Sequence, residues 1–428
     1  MYKARSYNLV EDIFIEHAKG KVNITNAWNL IELEEDLFNA SMSCFLSVGD
    51  TTGLLDDIDF DGTETFKIKF KSGKEEDKTI AIKFRLYKQL VNASTDGSKN
   101  KVYNLYGVTP EHFTQAIMDI NQSFNVKLSD AAKQILGKVT KNTVREKDRL
   151  VDVHDTTGIY TYVIPGMTPY ESMEFLQRRS YDSAFTSSFF TFYESNEGFN
   201  FHNIERLIKE NRAKDKVFEY TYSEATNVSD QLPGKDTQFA IEGLSVAPTK
   251  EVMSRIKSGS YASQVVEIDL INQTTTSNRL LVQDNFKDFY HLDEIAMSLD
   301  SKAMIEDSLN VINSTKWRNK SQLGDDKIAS VIPRRRFYRD SLSTVEIQLS
   351  IPGNSNLAVG KVINVKIPKK SAKMEGGQEP KVTGKYLITR LIHSIDKNQG
   401  YGQVLMGNKE SFIPNVEDRR KNIIGSKR

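Results

Sequence analysis

The string in this 428-residue sequence with the clearest capacity for chemistry is Asp57-Ile58-Asp59-Phe60-Asp61-Gly62. Carboxylates at alternating positions ahead of a glycine are how an EF-hand loop gathers oxygen ligands for calcium. The twelfth loop position, where a bidentate Glu belongs, holds Ile68, and the flanks read as strands. A solvated acidic turn therefore fits better than a metal site. The six histidines, His17, His112, His154, His202, His291 and His393, are dispersed and form no His-x-x-x-His or Glu-x-x-His pair, so zinc hydrolysis has no support. His154 beside Asp155 is the one suggestive pair, and neighbours in sequence rarely share a site. No Gly-x-Ser-x-Gly elbow or Gly-x-x-x-x-Gly-Lys loop is present, so serine hydrolysis and nucleotide-driven work lack a signature. The 57 acidic residues keep a carboxylate pair for glycoside cleavage open as an alternative.

Arg334-Arg335-Arg336-Phe337-Tyr338-Arg339 places four guanidiniums beside two aromatics, a set able to grip phosphate and stack bases. A domain junction whose arginines pair with carboxylates is the reading we favour. Phe185, Phe189, Phe190, Phe192 and Tyr193 suit core and interdomain packing better than a sugar platform. No residue is assigned a catalytic, cofactor-binding or metal-binding role.

Composition narrows the classes further. At roughly 150 residues per domain the length suggests about three domains. The chain is 38% hydrophobic and 27% charged, with 22 Phe and 17 Tyr, enough to build cores along most of its length. Lys and Arg number 58 against 57 acids, a net charge of +1, which gives no global case for a nucleic-acid or membrane-surface binder. Cys44 is the single cysteine, so an intramolecular disulfide, a thiolate zinc cluster and a dithiol pair are all excluded. The start lacks an apolar signal core, and no run approaches the ~20 apolar residues that span a bilayer. The expectation is a soluble protein assembled in a cytoplasm, without membrane insertion.

The elements that must position any site come in three stretches. Alternation at Cys44, Leu46 and Val48, at Phe66, Ile68 and Phe70, and at Ile80, Ile82, Phe84 and Leu86 predicts antiparallel strands in a first β domain over residues 1–108. At Thr109-Pro110 the period changes. Thr109 is placed to cap a helix carrying Phe113, Ala116, Ile117, Ile120 and Phe124, Ser129 to cap one carrying Ala132, Ile135 and Leu136, and Thr168 with Glu171 to form a capping box ahead of Met173 and Leu176. Residues 109–235 thus read as mixed α+β. Strand signal returns at 239–241 and 261–270, stops at a polar stretch over 272–278, and resumes at Val345, Ile347, Leu349 and Ile351, at Ile363, Val365 and Ile367, and over 386–395 and 403–406. Residues 236–275 with 341–410 read as a second β domain. Met304, Ile305, Leu309 and Ile312 suggest a partly helical insertion over 276–340, and 411–428 is a basic tail.

The two β regions echo one another. Leu46-Ser47-Val48-Gly49, then a loop, then Gly62 leading into Phe66-Lys67-Ile68-Lys69-Phe70 is matched by Leu349-Ser350-Ile351-Pro352-Gly353, a loop, and Gly360 leading into 362–367. With this order and spacing, the chain resembles the central hub subunit of contractile phage-tail baseplates, a family related to the hub part of type VI secretion spikes. The resemblance rests also on Gly166-Met167-Thr168-Pro169-Tyr170 and its helix to Arg179, the aromatic stretch 185–193, residues 199–208 and 259–269, and Gly384-Lys385-Tyr386-Leu387-Ile388, and it covers most of the chain. It implies an α+β multidomain fold with two related antiparallel, tube-like β-barrels, helical and mixed insertions, and three copies closing into a pseudo-six-fold ring. It also implies a structural role in the virion tail without catalysis or cofactor: a homotrimer adapting the six-fold tail tube to a three-fold central spike or spike-lysozyme. In such a hub other baseplate proteins are partners, and DNA passes through the channel without specific binding. The alternatives are a tail-borne cell-wall or glycan hydrolase and a nucleic-acid-binding module using Arg334 to Arg339.

Overall fold

The computed structural model describes residues 9–56, 58, 60–72, 77–93, 101–142, 150–212, 217–222, 239–247, 262–269, 273–281, 290–296, 310–316, 334–335, 338–342, 344–368, 379 and 381–413. The first stretch contains strands β1 (Leu9–Val10), β2 (Phe14–His17), β3 (Gly20–Asn23), β4 (Trp28–Asp36), β5 (Ser43–Asp50), β6 (Thr65–Lys71), β7 (Ile80–Ala93) and β8 (Lys101–Val108). They pair in the order β4-β5-β8-β7-β6-β2-β3, all antiparallel. The alternation read from the sequence supplies one buried face: Cys44, Leu46, Val48, Phe66, Ile68, Phe70, Ile80, Ile82, Phe84 and Leu86 belong to a single core, joined there by Leu33 of β4. The β2–β3 hairpin runs on one step past its strands, Ile24 donating its N–H to Ile13 O at 2.9 Å and Ile13 its N–H to Thr25 Oγ1 at 2.9 Å.

The middle stretch begins with α1 (Pro110–Ala116), which ends sooner than the periodicity suggested. Ile117 is 87% exposed, while Ile120 and Phe124 are buried on strand β9 (Ile120–Val126). A separation of four residues returns to the same face in a strand as well as in a helix, and Asn121, Ser123 and Asn125 between them follow the strand period. Helix α2 (Leu128–Asn142) buries Ala132, Ile135 and Leu136 as expected. It is followed by β10 (Leu150–Val153), β11 (Tyr160–Met167), α3 (Pro169–Arg179), β12 (Phe190–Ser195), β13 (Gly198–Asn203) and α4 (Ile204–Arg212). Strands β9 and β11 pair antiparallel, and β13 takes β10 parallel and β12 antiparallel. Helices α2 and α3 close over these strands on a core that includes Leu136, Met173, Leu176, Phe190 and Phe199.

The last stretch opens with β14 (Phe218–Thr221), β15 (Gly243–Ala247), β16 (Ala262–Asp269), β17 (Thr274–Leu281), β18 (Ile295–Ala296) and β19 (Asn310–Lys316). The polar run over 272–278 is thus mostly strand, and Ile312, read as helical, lies on β19, which pairs parallel to β16. Met304, Ile305 and Leu309 lie outside the described residues. The final strands are β20 (Val345–Pro352), β21 (Val362–Lys366), β22 (Gly384–Asp396), β23 (Gly400–Lys409) and β24 (Ser411–Phe412). They build a second sheet in the order β15-β20-β23-β22-β21-β14. A bridge between Thr221 and Ala240, with Ile241 N–H on Thr221 O at 3.0 Å, brings β14 back beside the segment that runs into β15, so the ring of strands closes.

Numbering each set from its first strand, β4 to β8 and β15, β20 to β23 share the spatial order 1-2-5-4-3. Their registers agree residue by residue. Leu46 faces Leu105 and Leu349 faces Leu405; Phe66 faces Phe84 and Ile363 faces Tyr386. Each fourth strand carries a bulge, at Leu86/Lys88 and Ile388/Arg390, and opposite each bulge stands a glycine, Gly107 or Gly407. The glycines are there for space: a Cβ on Gly107 would lie 2.9 Å from Phe66, and one on Gly407 3.1 Å from Tyr386. The sequence echo is a duplicated topology.

Candidate functional site: the seam between the two sheets

In a chain without a catalytic signature, the groups that do the work are those that hold its parts in one arrangement. The two sheets are continuous. The first half of β22 pairs with β21, and from Arg390 onward the same edge pairs antiparallel with β4, Arg390 opposite Asp36 through Asp396 opposite Leu30. Consequently Ile395 and Tyr401 sit in the core of the first sheet and Leu37 in that of the second. On the outer face Arg390 reaches back to Glu34, Nε to Oε1 at 2.6 Å.

The inner face of this seam is polar and dry. Glu35 is 0% and His393 1% exposed. Glu35 Oε2 accepts from Val359 N at 3.2 Å, and its Oε1 lies 3.2 Å from His393 Nε2. His393 Nδ1 lies 2.7 Å from the Tyr401 hydroxyl. Gln403 Nε2, which can only donate, also lies 3.1 Å from Nδ1, so Nδ1 is the accepting nitrogen and the Nε2–H is left to face Glu35, while burial pushes the Tyr401 phenol well above its ordinary range. Gln403 donates to Tyr401 Oη at 3.0 Å and to Asn354 O at 3.0 Å, and Asn354 N–H returns to Gln403 Oε1 at 3.0 Å. Gly353 allows this approach, because a Cβ there would meet the Tyr401 ring at 2.1 Å. Such a network offers no open position for a substrate. Its members constrain one another, which suits a rigid joint.

Two further buried sets fasten the attached segments. Arg334 makes a bidentate pair with Glu205 at the start of α4, Nε to Oε1 and Nη2 to Oε2 both at 3.1 Å. Tyr338 is buried beside them and donates to Tyr290 O at 2.9 Å, Arg335 donates to Arg178 O, and Arg339 pairs with Asp340. The arginine string is a junction on carboxylates and carbonyls, as favoured from the sequence; Arg336 and Phe337 lie outside the described residues. The second set surrounds Lys409, whose Nζ donates to Thr383 O at 2.7 Å, stands 3.9 Å from Asp293 Oδ2 and lies over the Tyr386 ring. Burial pushes Asp293 up to about 6, against the pull of Lys409, and holds Lys409 down at about 8. Glu410 accepts from Leu292 N at 2.7 Å and stands 3.4 Å from His291 Nδ1.

The remaining sequence candidates do not converge. Asp57 and Asp59 lie outside the described residues; Asp61 accepts from Thr63 N–H and Oγ1, which is an acidic turn capped by its own backbone. His154 and Asp155 face apart. The carboxylate takes Lys127 and Ser129, while the imidazole stacks on His202 at 4.0 Å and is held down at about 3 by burial and by His202 and Arg206. Ser129 therefore serves Asp155 from within the first turn of α2, and Thr109 donates to buried Glu194 at 2.7 Å without capping α1. The Thr168–Glu171 capping box forms in both directions. Phe189, Phe190, Phe192 and Tyr193 are buried, and Phe185 packs on Tyr290. Among the described residues no group of three or more His, Cys, Asp or Glu is placed to hold a metal ion. The seam network was missed in the sequence because its members are far apart; Glu35 and His393 are separated by 358 residues.

Known proteins bear on this arrangement. No family model matches the sequence. A protein of Vibrio phage KVP40 named probable baseplate hub protein gp334 is 21% identical over 425 residues, covering 93% of this chain and 95% of that one. The chain is a relative of a phage baseplate hub protein. The fold agrees: the 43 kDa tail protein of prophage MuSo2 from Shewanella oneidensis superposes over 94% of this chain and 98% of its own at 9% identity, with a TM-score of 0.53. The tail protein from Neisseria meningitidis MC58 aligns over 93% of this chain and 96% of its own, also at 9% identity, with a TM-score of 0.48. The chain is mostly antiparallel β-sheet with few helices, a multidomain α+β fold similar to that of the MuSo2 tail protein.

Proposed function

We propose that the chain is the hub subunit of a contractile phage-tail baseplate, acting as a trimer that adapts the six-fold tail tube to a three-fold central spike or spike-lysozyme. The observation that carries this reading is the duplicated 1-2-5-4-3 strand order within one chain. Three copies of a chain with two like β units present six similar positions on one side, and three-fold features on the other through the parts that are not duplicated. A heterologous contact repeated with a closing rotation makes a ring. The ring lines a channel through which DNA passes without sequence-specific contact, and the protein sits in the virion tail after assembly in the host cytoplasm. Residues 109–235, the segment 276–340 and the tail 411–428 are left to face the spike and other baseplate proteins, and no residue carries a catalytic, cofactor or metal role. The burial of Arg334 on Glu205 argues against a phosphate-gripping use of that string.

Light scattering across a concentration series tests the stoichiometry. The expected result is a species of three times the chain's 48.6 kDa. A monomer at every concentration, and again after mixing with the cognate spike, would overturn the reading.

A further inference from the structure

The set around Lys409 brings an amine and a carboxyl together out of water. The Lys409 side chain is 0% and that of Asp293 7% exposed, with Nζ 3.9 Å from Oδ2. Backbone groups hold both. Lys409 Nζ donates to Thr383 O at 2.7 Å, and the Lys385 N–H is directed at the Asp293 carboxylate, 3.2 Å from Oδ2 and 3.4 Å from Oδ1. Asp293 is fixed from its other side by its own N–H, which donates to Ser411 Oγ at 2.7 Å. Gly384 makes the approach possible: its φ is +135°, and a Cβ there would meet Asp293 Oδ2 at 2.2 Å. The Tyr386 ring lies against the amine, and Glu410, Lys385 and His291 complete the titratable surroundings. Burial works against both charges, lifting Asp293 from 3.8 to about 6 and lowering Lys409 from 10.5 to about 8, which narrows the gap a proton must cross to leave both groups neutral. A neutral amine is a nucleophile, and a protonated carboxyl carries a leaving group.

We propose that Lys409 and Asp293 close an amide between their side chains, a covalent fastener between the segment 290–296 and the end of β23. The step needs no cofactor and no oxidant. The Lys409 ammonium gives one proton to the carboxylate, and the neutral Nζ attacks Cγ. The Nζ–Cγ bond forms, the bond from Cγ to the hydroxyl oxygen breaks, and the hydroxyl leaves with a second Nζ proton as water, while the amide keeps the third. The Lys385 N–H faces the oxygen that becomes negative in the tetrahedral intermediate, and Thr383 O orients the amine. Fixing the two groups side by side supplies the effective concentration, and burial keeps out the water that would reverse the reaction. Until the bond forms, the two groups titrate as an ionisable pair; once it has formed, neither does. The bond is independent of the hub reading.

The intact mass of the full-length chain reads the bond directly. After purification and incubation of the folded protein at neutral pH, the expected mass is about 18 Da below that of the sequence, one water lost. Trypsin should then release a single branched peptide joining Asp293 to Lys409, with no cleavage after Lys409. Lys409→Arg and Asp293→Ala chains are expected at their full sequence masses and without the branched peptide. A native chain that keeps its full mass over days, while circular dichroism shows its strands folded, overturns the proposal. A water lost without the branched peptide, or lost equally from the Lys409→Arg chain, overturns it too. Where a variant fails to fold, the mass and the branched peptide of the native chain decide alone.

Discussion

Glu205 and Arg334 illustrate how a buried pair acts as a fastener. Neither charge has water to return to, so removing one partner strands the other. Glu205→Gln is expected to cost about 3–5 kcal/mol in denaturant unfolding, and the double change Glu205→Gln/Arg334→Met to recover much of it. The Asp293–Lys409 set predicts a pH dependence whose sign follows from the directions of the shifts. A carboxyl raised from 3.8 to about 6 holds its proton better in the folded chain, so its contribution is fully present below about 4 and lost as pH climbs to about 6. Lys409, lowered from 10.5 to about 8, opposes folding below about 8, and that cost lifts as pH rises toward 10.5. Unfolding free energy measured at pH 4 and pH 6.5 should fall by up to about 3 kcal/mol, and Asp293→Asn should flatten that interval while leaving the alkaline rise, with His291, Glu410 and Lys385 unchanged beside it. At this scale the sequence was least legible. The arginine string announced a junction, but its carboxylate stands 129 residues away, and distance along the chain hides such partners.

Elements were legible wherever local chemistry alone decides them. The Thr168–Glu171 box starts α3 as its spacing predicts, and Thr168→Ala should cost about 1 kcal/mol in thermal unfolding. Thr109 has the same residue type ahead of Pro110, yet its hydroxyl goes to Glu194, because a buried carboxylate is a stronger acceptor than a backbone amide is a donor to lose. Ile120 and Phe124 were misread because a separation of four residues satisfies both periods. The bulge glycines give the sharpest element-level expectation. Gly107→Ala drives a methyl against the Phe66 ring and the Phe84 Cβ and should destabilise by about 1–3 kcal/mol, and Gly407→Ala, with slightly more room against Tyr386 and Ile347, by less. Equal tolerance at the two sites would contradict the packing described.

For the molecule as a whole, the echo between Leu46–Val48 and Leu349–Ile351 pointed to the duplication, and the registers of β5 on β8 and β20 on β23 bear it out residue for residue. What no local pattern carried is the exchange at the joint: β4 falls in the first β domain without a strand signal of its own having been read, and nothing in Ile31 or Leu33 says that one edge of the strand belongs to a segment 360 residues on. The joint matters because it fixes the relative setting of the two like units, and a fixed repeat angle is what lets successive copies close into a ring instead of running on as a filament. The central claim is therefore geometric, and end-on electron microscopy of the purified assembly tests it most directly. The account predicts class averages of a ring with six similar lobes around an open centre, built from three chains. Compact single particles, or rings with three lobes and no second set between them, would contradict it.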